Sequence, residues 1–144
     1  MLPVVLDSAG LSAACEPKPP KRVQALLAEA YRRGSEVLVP AVVCAEVCRG
    51  VPRTRQVETL VARTLRDSAA HRPVRMVPTD FDLARQVGAI LNSAKVGSRY
   101  LADAHVVAVC VQHGGGLVIT SDPDDIMHLA AAVPAARIIT RSPG

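Results

Sequence analysis

The chain has 144 residues, a hydrophobic fraction of 49%, a charged fraction of 21% and a net charge of +4, which suits one soluble globular domain. This composition excludes a disordered chain, and no apolar run approaches the roughly 18 residues of a membrane-spanning helix. The opening MLPVVLDSAG lacks the basic start and long apolar stretch of a secretory signal peptide. We therefore expect a cytoplasmic protein that forms a single domain over residues 1–144.

Arginine dominates the basic residues, with 14 arginines against 3 lysines. The planar guanidinium group suits phosphate, so this composition is compatible with a nucleic-acid partner. A GC-rich coding sequence would produce the same bias, and composition alone leaves both explanations open. The four cysteines lie in apolar or helical segments without the spacing of a zinc or redox motif, which predicts buried free thiols.

Five short apolar runs of strand length alternate with longer helical patterns along the chain. The predicted strands are 3–7, 35–40, 73–78, 116–121 and 136–140. The predicted helices are 21–34, 41–50 followed by 52–71, 79–94 and 98–115. Because strands that alternate with helices are joined by crossover connections, this order predicts a three-layer α/β/α sandwich with a mainly parallel central sheet.

Local signals support several of these boundaries. Gly34 stands where the first long helix needs a C-terminal glycine. Thr79 and Asp82 have the spacing of a capping box, so we expect Asp80 and Asp82 to be structural rather than catalytic. The glycines of 113–116 precede a strand, whereas glycines that cradle phosphate follow a strand and open a helix. This segment therefore predicts a helix stop and a turn.

Four of the 13 acidic residues end or interrupt apolar runs: Asp7, Glu46, Asp103 and Asp122. An ionised carboxylate that is buried without a partner costs several kcal/mol, so each needs a cation or strong donors. Ligands bind at the carboxyl ends of the strands in open parallel sheets, where all four acids could converge. Oxygen ligands without softer atoms select Mg²⁺ or Mn²⁺.

Each acid alone also has an ordinary structural explanation. Asp7 could cap a short helix over SAGLSAAC, and Glu46 could reach solvent or pair with the arginine three residues further on. Asp103 could be an acid in the first turn of its helix, and Asp122 could cap a helix that begins at Pro123. The joint placement of the four acids at one sheet edge favours the metal site.

Four segments of the chain resemble the PIN-domain nucleases, and more closely the VapC-type toxins of toxin-antitoxin modules. The resemblance covers essentially the whole chain and rests on VVLDSAGL, PAVVCAEVCRG, LADAHVVA and ITSDPDD. It implies that an acidic quartet, Asp7, Glu46, Asp103 and Asp122, surrounds one or two ions of Mg²⁺ or Mn²⁺ and performs catalysis.

The last motif supplies further candidate residues under the same resemblance. Asp125 matches the additional acid of that motif, although Asp124 lies beside it, and Thr120 or Ser121 matches the accompanying hydroxyl residue. Two features depart from the usual pattern, namely DSAG after the first strand and His105 where a small or aliphatic residue is common. We expect His105 to be packed or solvated rather than a general base.

The resemblance implies a metal-dependent endoribonuclease that acts as the toxin of a type II toxin-antitoxin pair. It also implies a homodimer and a cognate antitoxin whose C-terminal segment blocks the acidic pocket. Arg49 and Arg99 are the predicted phosphate contacts, with solvated surface charge as the alternative. Because the chain has only three aromatic residues, we expect recognition of a structured RNA with one exposed loop rather than base stacking.

Two other functions are consistent with acids at strand ends. A phosphoacceptor domain would need a lysine after its last strand, where ARIITRSPG has arginines only. A non-catalytic RNA- or protein-binding module of the same fold remains an alternative, because intact acids show capacity rather than use. An apolar helix face, formed by Val57, Leu60, Val61, Thr64 and Leu65, is expected to cover the sheet rather than to face a partner.

Overall fold

The computed structural model describes residues 1–66 and 74–144, and the side chains of residues 62–66 lie outside that description. The strands are β1 (Val4–Leu6), β2 (Val37–Pro40), β3 (Val74–Val77), β4 (Gly115–Ile119) and β5 (Arg137–Arg141). They form one sheet in the order β3-β2-β1-β4-β5, in which every neighbouring pair is parallel. All five predicted strands are confirmed to within one or two residues at their described ends.

The predicted helical patterns are also present. The helices are α1 (Ser8–Ala14), α2 (Lys21–Arg32), α3 (Ala41–Val47), α4 (Val51–Arg66), α5 (Phe81–Ala94), α6 (Leu101–Gln112) and α7 (Pro123–Ala130). A short 3-10 helix, Ser98–Tyr100, precedes α6. The predicted end of the second pattern, residues 67–71, lies outside the described residues.

The core lies on both faces of the sheet. Every residue of β1 and β2 is buried, which requires a helical layer on each side. One layer contains α6, whose residues 104–110 are all buried against the strands, with α5 and α7 packed beside it. On α4, Val57 belongs to the core and Leu60 and Val61 pack against it, whereas the side chains of Thr64 and Leu65 lie outside the description. These contacts confirm the three-layer sandwich.

The ends of two helices differ in how well they were predicted. Gly34 adopts a left-handed conformation with φ of 74° directly after α2, as its predicted role requires. The cap of α5 is Asp80, whose carboxylate accepts from the amide of Leu83 at 2.9 Å, so the predicted cap at Thr79 was placed one residue too early. Asp80 is nevertheless structural, as expected. The segment 113–116 ends α6 and turns into β4, which confirms that prediction.

The order of the strands reverses between β1 and β4. From β1 the chain proceeds to β2 and β3 on one side, and β4 and β5 are added on the other side. In open parallel sheets such a switch point leaves a crevice at the carboxyl ends of the two strands. Gly10 allows α1 to approach this edge closely, because a Cβ there would lie 2.6 Å from the carbonyl oxygen of Ile119.

Two further observations concern the chain as a whole. Within the described residues, no helix combines the length and apolar character needed to cross a membrane. All four cysteines are free, as expected, and three of them are buried.

Candidate active site

Two predicted acids follow the two strands that border the switch point. Asp7 follows β1 directly, and Asp122 follows β4 by three residues. Val5 pairs with Val118 and Leu6 pairs with Ile119 in the parallel register, so the two strands end side by side. The fold therefore places Asp7 and Asp122 at the same edge of the sheet.

Asp7 is held rigidly and is almost fully buried, with 5% of its surface exposed. Its carboxylate accepts from the amide of Gly10 at 2.8 Å and caps α1, so the structural alternative for this residue is confirmed. Burial raises the pKa of Asp7, while the hydrogen bond from the hydroxyl of Thr120 lowers it and the charge of Asp122 raises it. Capping uses Oδ1 of the carboxylate, and Thr120 and Asp122 are close enough to shift the pKa of the group.

Thr120 connects these two acids. Its hydroxyl accepts from the amide of Asp122 at 2.9 Å and donates to the carboxylate of Asp7. Thr120 is 1% exposed, whereas Ser121 is exposed. Of the two predicted hydroxyl residues, Thr120 is thus the one in contact with the acids.

Asp103 lies in the first turn of α6, as its structural alternative predicted, and is half-buried. Burial is the largest cause that raises its pKa from the ordinary value of 3.8 to about 6. Four carboxylates add to this rise, in the order Asp7, Asp125, Asp122 and Glu46. Acids from three other segments of the chain are therefore close enough to Asp103 for their charges to raise its pKa.

Glu46 approaches the site from α3 and is exposed. The hydroxyl of Ser8 donates a hydrogen bond to its carboxylate, which joins α3 to the first residue of α1. No ion pair connects Glu46 with Arg49, both of which are described residues. Ser8 was not predicted as a site residue, although its position directly after Asp7 in the first motif was the available signal.

The two acids that follow Asp122 differ in their surroundings. Pro123 occupies the first position of α7 and both acids lie in its first turn, as the sequence predicted. The side chain of Asp122 makes no capping hydrogen bond, so it is available for other contacts. Asp125 is half-buried and raises the pKa of Asp103, whereas Asp124 is exposed and is not among the four carboxylates with the largest effect on that pKa.

The predicted arginines and His105 are less closely tied to the acids. Arg49 and Arg99 are exposed, and the guanidinium of Arg99 lies 5.7 Å from the ring centre of Tyr100. His105 is 5% exposed and its Nδ1 lies 2.8 Å from the carbonyl oxygen of Leu101. Its Nε2 has no hydrogen-bond partner among the described residues. His105 is packed, as expected.

The donor set suits a hard divalent cation, because every candidate ligand is an oxygen. Among the described residues, however, no three acidic, histidine or cysteine side chains converge closely enough to enclose an ion as they stand. Mutual repulsion among the carboxylates opposes such convergence, and it adds to the burial that raises the pKa of Asp103. The group therefore fits a divalent ion in its chemistry and charge.

Comparison with known proteins agrees with this architecture. A structure of FitAB bound to an IR36 DNA fragment has a TM-score of 0.60 at 20% identity, with 97% of this chain and 94% of that chain covered. The crystal structure of FitAcB from Neisseria gonorrhoeae has a TM-score of 0.57 at 21% identity, with 97% of both chains covered. At this identity the two structures show similarity of fold.

No curated protein matches the chain. A family model does match, and it is that of the PIN domain, over residues 4–132. PIN domains are generally nucleases, and PIN nucleases generally use divalent metals. The family predicted from the four sequence motifs is confirmed: the chain belongs to the PIN domain family.

Proposed function

We propose that the protein is a divalent-metal-dependent endoribonuclease and the toxin of a type II toxin-antitoxin pair. The observation that carries the proposal is the environment of Asp103, whose pKa is raised by burial and by four other carboxylates at the switch point of the sheet. Perturbed acids that cluster in a crevice are typical of catalytic sites. Membership of the PIN domain family supports nuclease chemistry.

In this proposal the acids have different tasks. Asp7, Glu46, Asp103 and Asp122 hold one or two ions of Mg²⁺ or Mn²⁺, which would supply activation of water and neutralisation of phosphate charge. Asp7 is the most rigid of them, since Gly10 and Thr120 both bind its carboxylate. Thr120 fixes the distance between Asp7 and the start of α7, and Ser8 holds Glu46 toward the site.

We assign the fifth carboxylate to Asp125 rather than Asp124. Its half-buried position and its effect on Asp103 support this choice. Arg49 and Arg99 stay proposed phosphate contacts, because each is about one helical turn from an acid of the site along the chain. Arg49 follows Glu46 by three residues, and Arg99 precedes Asp103 by four. Ser121 is not assigned a direct role.

The partners follow from the resemblance to VapC-type toxins. We propose a structured RNA as the substrate and a cognate antitoxin that covers the acidic edge. We also propose that the chain is a single domain, forms a homodimer and acts in the cytoplasm. The FitAB neighbour is bound to a DNA fragment, which supports a nucleic-acid context for a chain of this fold. Light scattering on the purified chain, alone and with the antitoxin, tests the oligomeric state.

The test is cleavage of total cellular RNA with mapping of new 5′ ends. Incubations contain Mg²⁺, Mn²⁺ or EDTA, and they compare the wild type with Asp7→Asn, Asp103→Asn and Asp125→Asn. We expect discrete cuts that need the metal and each of these three carboxylates, whereas the matched control Asp124→Asn keeps its activity. A folded RNA should be cut faster than an unstructured oligonucleotide.

Two outcomes would change the proposal. Absence of metal-dependent cleavage by a folded, antitoxin-free sample would favour the non-catalytic binding module. Loss of activity in Asp124→Asn with activity retained in Asp125→Asn would reverse the assignment of the fifth carboxylate, while leaving the nuclease itself supported.

A further inference from the structure

A cavity of about 820 Å³ lies beside the acidic edge, and we call it the arginine cavity. One wall is formed by Thr120, Ser121 and Pro123, the residues on either side of Asp122. Thr120 also donates to Asp7, so the same segment of chain borders the cavity and contacts the acids. A molecule in the cavity would lie next to the candidate active site.

The cavity carries positive charge on its other side. Arg22, in the first turn of α2, and Arg141, the last residue of β5, both line it, and no acidic residue in the described part of the chain does. Both arginines are exposed, and neither forms an ion pair in the described part of the chain. One guanidinium nitrogen of Arg141 donates to the carbonyl of Thr140 at 2.8 Å, which leaves its other donors for a ligand.

The rest of the lining is small or apolar, including the rings of Pro20, Pro123 and Pro143. A volume of this size falls within the range of about 300–1,000 Å³ that accommodates organic ligands such as a nucleotide. None of the described residues that line the cavity is aromatic, so this lining offers no stacking surface for bases. Its chemistry fits a sugar-phosphate chain, with guanidinium groups for phosphate and proline rings for the ribose.

We propose that Arg22 and Arg141 bind a phosphate of the RNA strand next to the phosphate that is cut. The inference rests on the proposed nuclease function and assigns two substrate-binding residues that the sequence did not indicate. Carboxylates at the edge of the sheet repel a phosphate chain, and two cations beside them offset that repulsion. A continuous strand could then place one phosphate at the acids and the next in the arginine cavity.

Arg32 offers a matched control on the same helix. It lies at the last residue of α2, ten residues and about 15 Å from Arg22 along the axis, and it is paired with Glu29. Loss of either cavity side chain should leave the fold intact, because both are exposed. The contact of Arg141 with β4 is made by its backbone carbonyl, which accepts from the amide of Thr120 at 2.9 Å.

The experiment measures RNA binding in an Asp7→Asn background, which prevents cleavage. Fluorescence anisotropy of a labelled RNA hairpin gives the dissociation constant over a series of salt concentrations for Arg22→Gln, Arg141→Gln and Arg32→Gln. We expect each cavity variant to bind about five- to tenfold more weakly at low salt and to lower the salt slope by about 0.7–1. Arg32→Gln should bind within about twofold of the background, and Arg22→Lys should restore most of the binding.

The outcomes separate the two proposals. If both cavity variants bind RNA like Arg32→Gln, the arginine cavity is not a phosphate site, and cleavage by the wild type still decides the nuclease. If the variants weaken binding but the wild type cuts no RNA, the cavity is supported and the nuclease is not. If the background protein binds no RNA at any salt concentration, the arginine cavity is overturned as a phosphate site, and cleavage of total RNA by the wild type still decides the nuclease.

Discussion

Replacement of Asp103 by asparagine should stabilise the metal-free protein at neutral pH. Burial and four neighbouring carboxylates raise the pKa of Asp103 from 3.8 to about 6, so its ionised form is disfavoured in the folded state. Each tenfold change in proton affinity is worth about 1.4 kcal/mol, which makes the full penalty about 3 kcal/mol at high pH. Because the side chain is only half-buried, solvent screening reduces the expected gain to about 1–2 kcal/mol.

The sign of the effect fixes its dependence on pH. The protonated form of Asp103 contributes stability that is fully present below the unfolded pKa of 3.8 and is lost as the pH rises through about 6. Wild type and Asp103→Asn should therefore unfold alike near pH 4, and the variant should be more stable by about 2–8 °C near pH 8.

Thermal and urea unfolding in EDTA at several pH values measure this difference. Asp124→Asn is the control, because Asp124 is exposed and is not among the carboxylates with the largest effect on the pKa of Asp103. A difference between wild type and Asp103→Asn that is unchanged from pH 4 to pH 8 would refute the reasoning. So would a variant that is less stable than the wild type at the upper end of that range.

Three further predictions concern the same edge of the sheet. Thr120→Val should lower the free energy of unfolding by about 1–2 kcal/mol, because the carboxylate of Asp7 and the amide of residue 122 both lose a hydrogen-bond partner. Ser121→Ala, at an exposed position, should change it by less than about 0.5 kcal/mol. Urea unfolding measures both values. Gly10→Ala should destabilise the fold by about 1–3 kcal/mol, because the added Cβ clashes with Ile119 of β4. Gly88→Ala should stabilise α5, because a Cβ there meets nothing within 4 Å. Equal effects of the two variants in denaturation would contradict the close contact between Gly10 and β4. Millimolar Mg²⁺ or Mn²⁺ should raise the melting temperature of the wild type and not that of Asp7→Asn, and an equal rise in both proteins would place the ion elsewhere.

The order of elements could be predicted from the sequence because strand and helix have different apolar periods. Short β-branched runs alternate with longer helical patterns, and this alternation alone specified a parallel sheet between helical layers. The acids were also predictable, since Asp7 and Asp122 follow apolar strands and Asp103 opens an apolar helix. These are local features of the chain.

Two finer assignments required the packed structure. Val118 and Ile119 are both buried, so both faces of β4 are covered and alternation could not distinguish Thr120 from Ser121. Neighbouring residues in a helix point about 100° apart, so which acid of α7 faces Asp103 depends on how α7 packs rather than on spacing. Position in the first turn of α7 alone left the choice between Asp124 and Asp125 open.

The contacts between distant residues had no local signal. The hydrogen bond from Ser8 to Glu46 joins residues 38 positions apart. Arg22 and Arg141 meet in one cavity although they lie near opposite ends of the chain. Composition could show that arginine is abundant, but only the sheet order brings the start of α2 and the end of β5 to the same edge.

Charge balance links the acidic edge to the arginine cavity. Five ionised carboxylates would repel any phosphate, and a single divalent ion would still leave three negative charges at the edge. A proton on Asp103, whose pKa is about 6, relieves part of this excess only below neutral pH. A second ion or nearby cations must therefore balance the rest before RNA can approach. In the proposed complex, Arg22 and Arg141 attract the strand from the cavity, and neither forms an ion pair with an acid among the described residues. Under this proposal, the separation leaves the carboxylates free to bind metal, while the two arginines on the other side of the cavity present positive charge to the substrate.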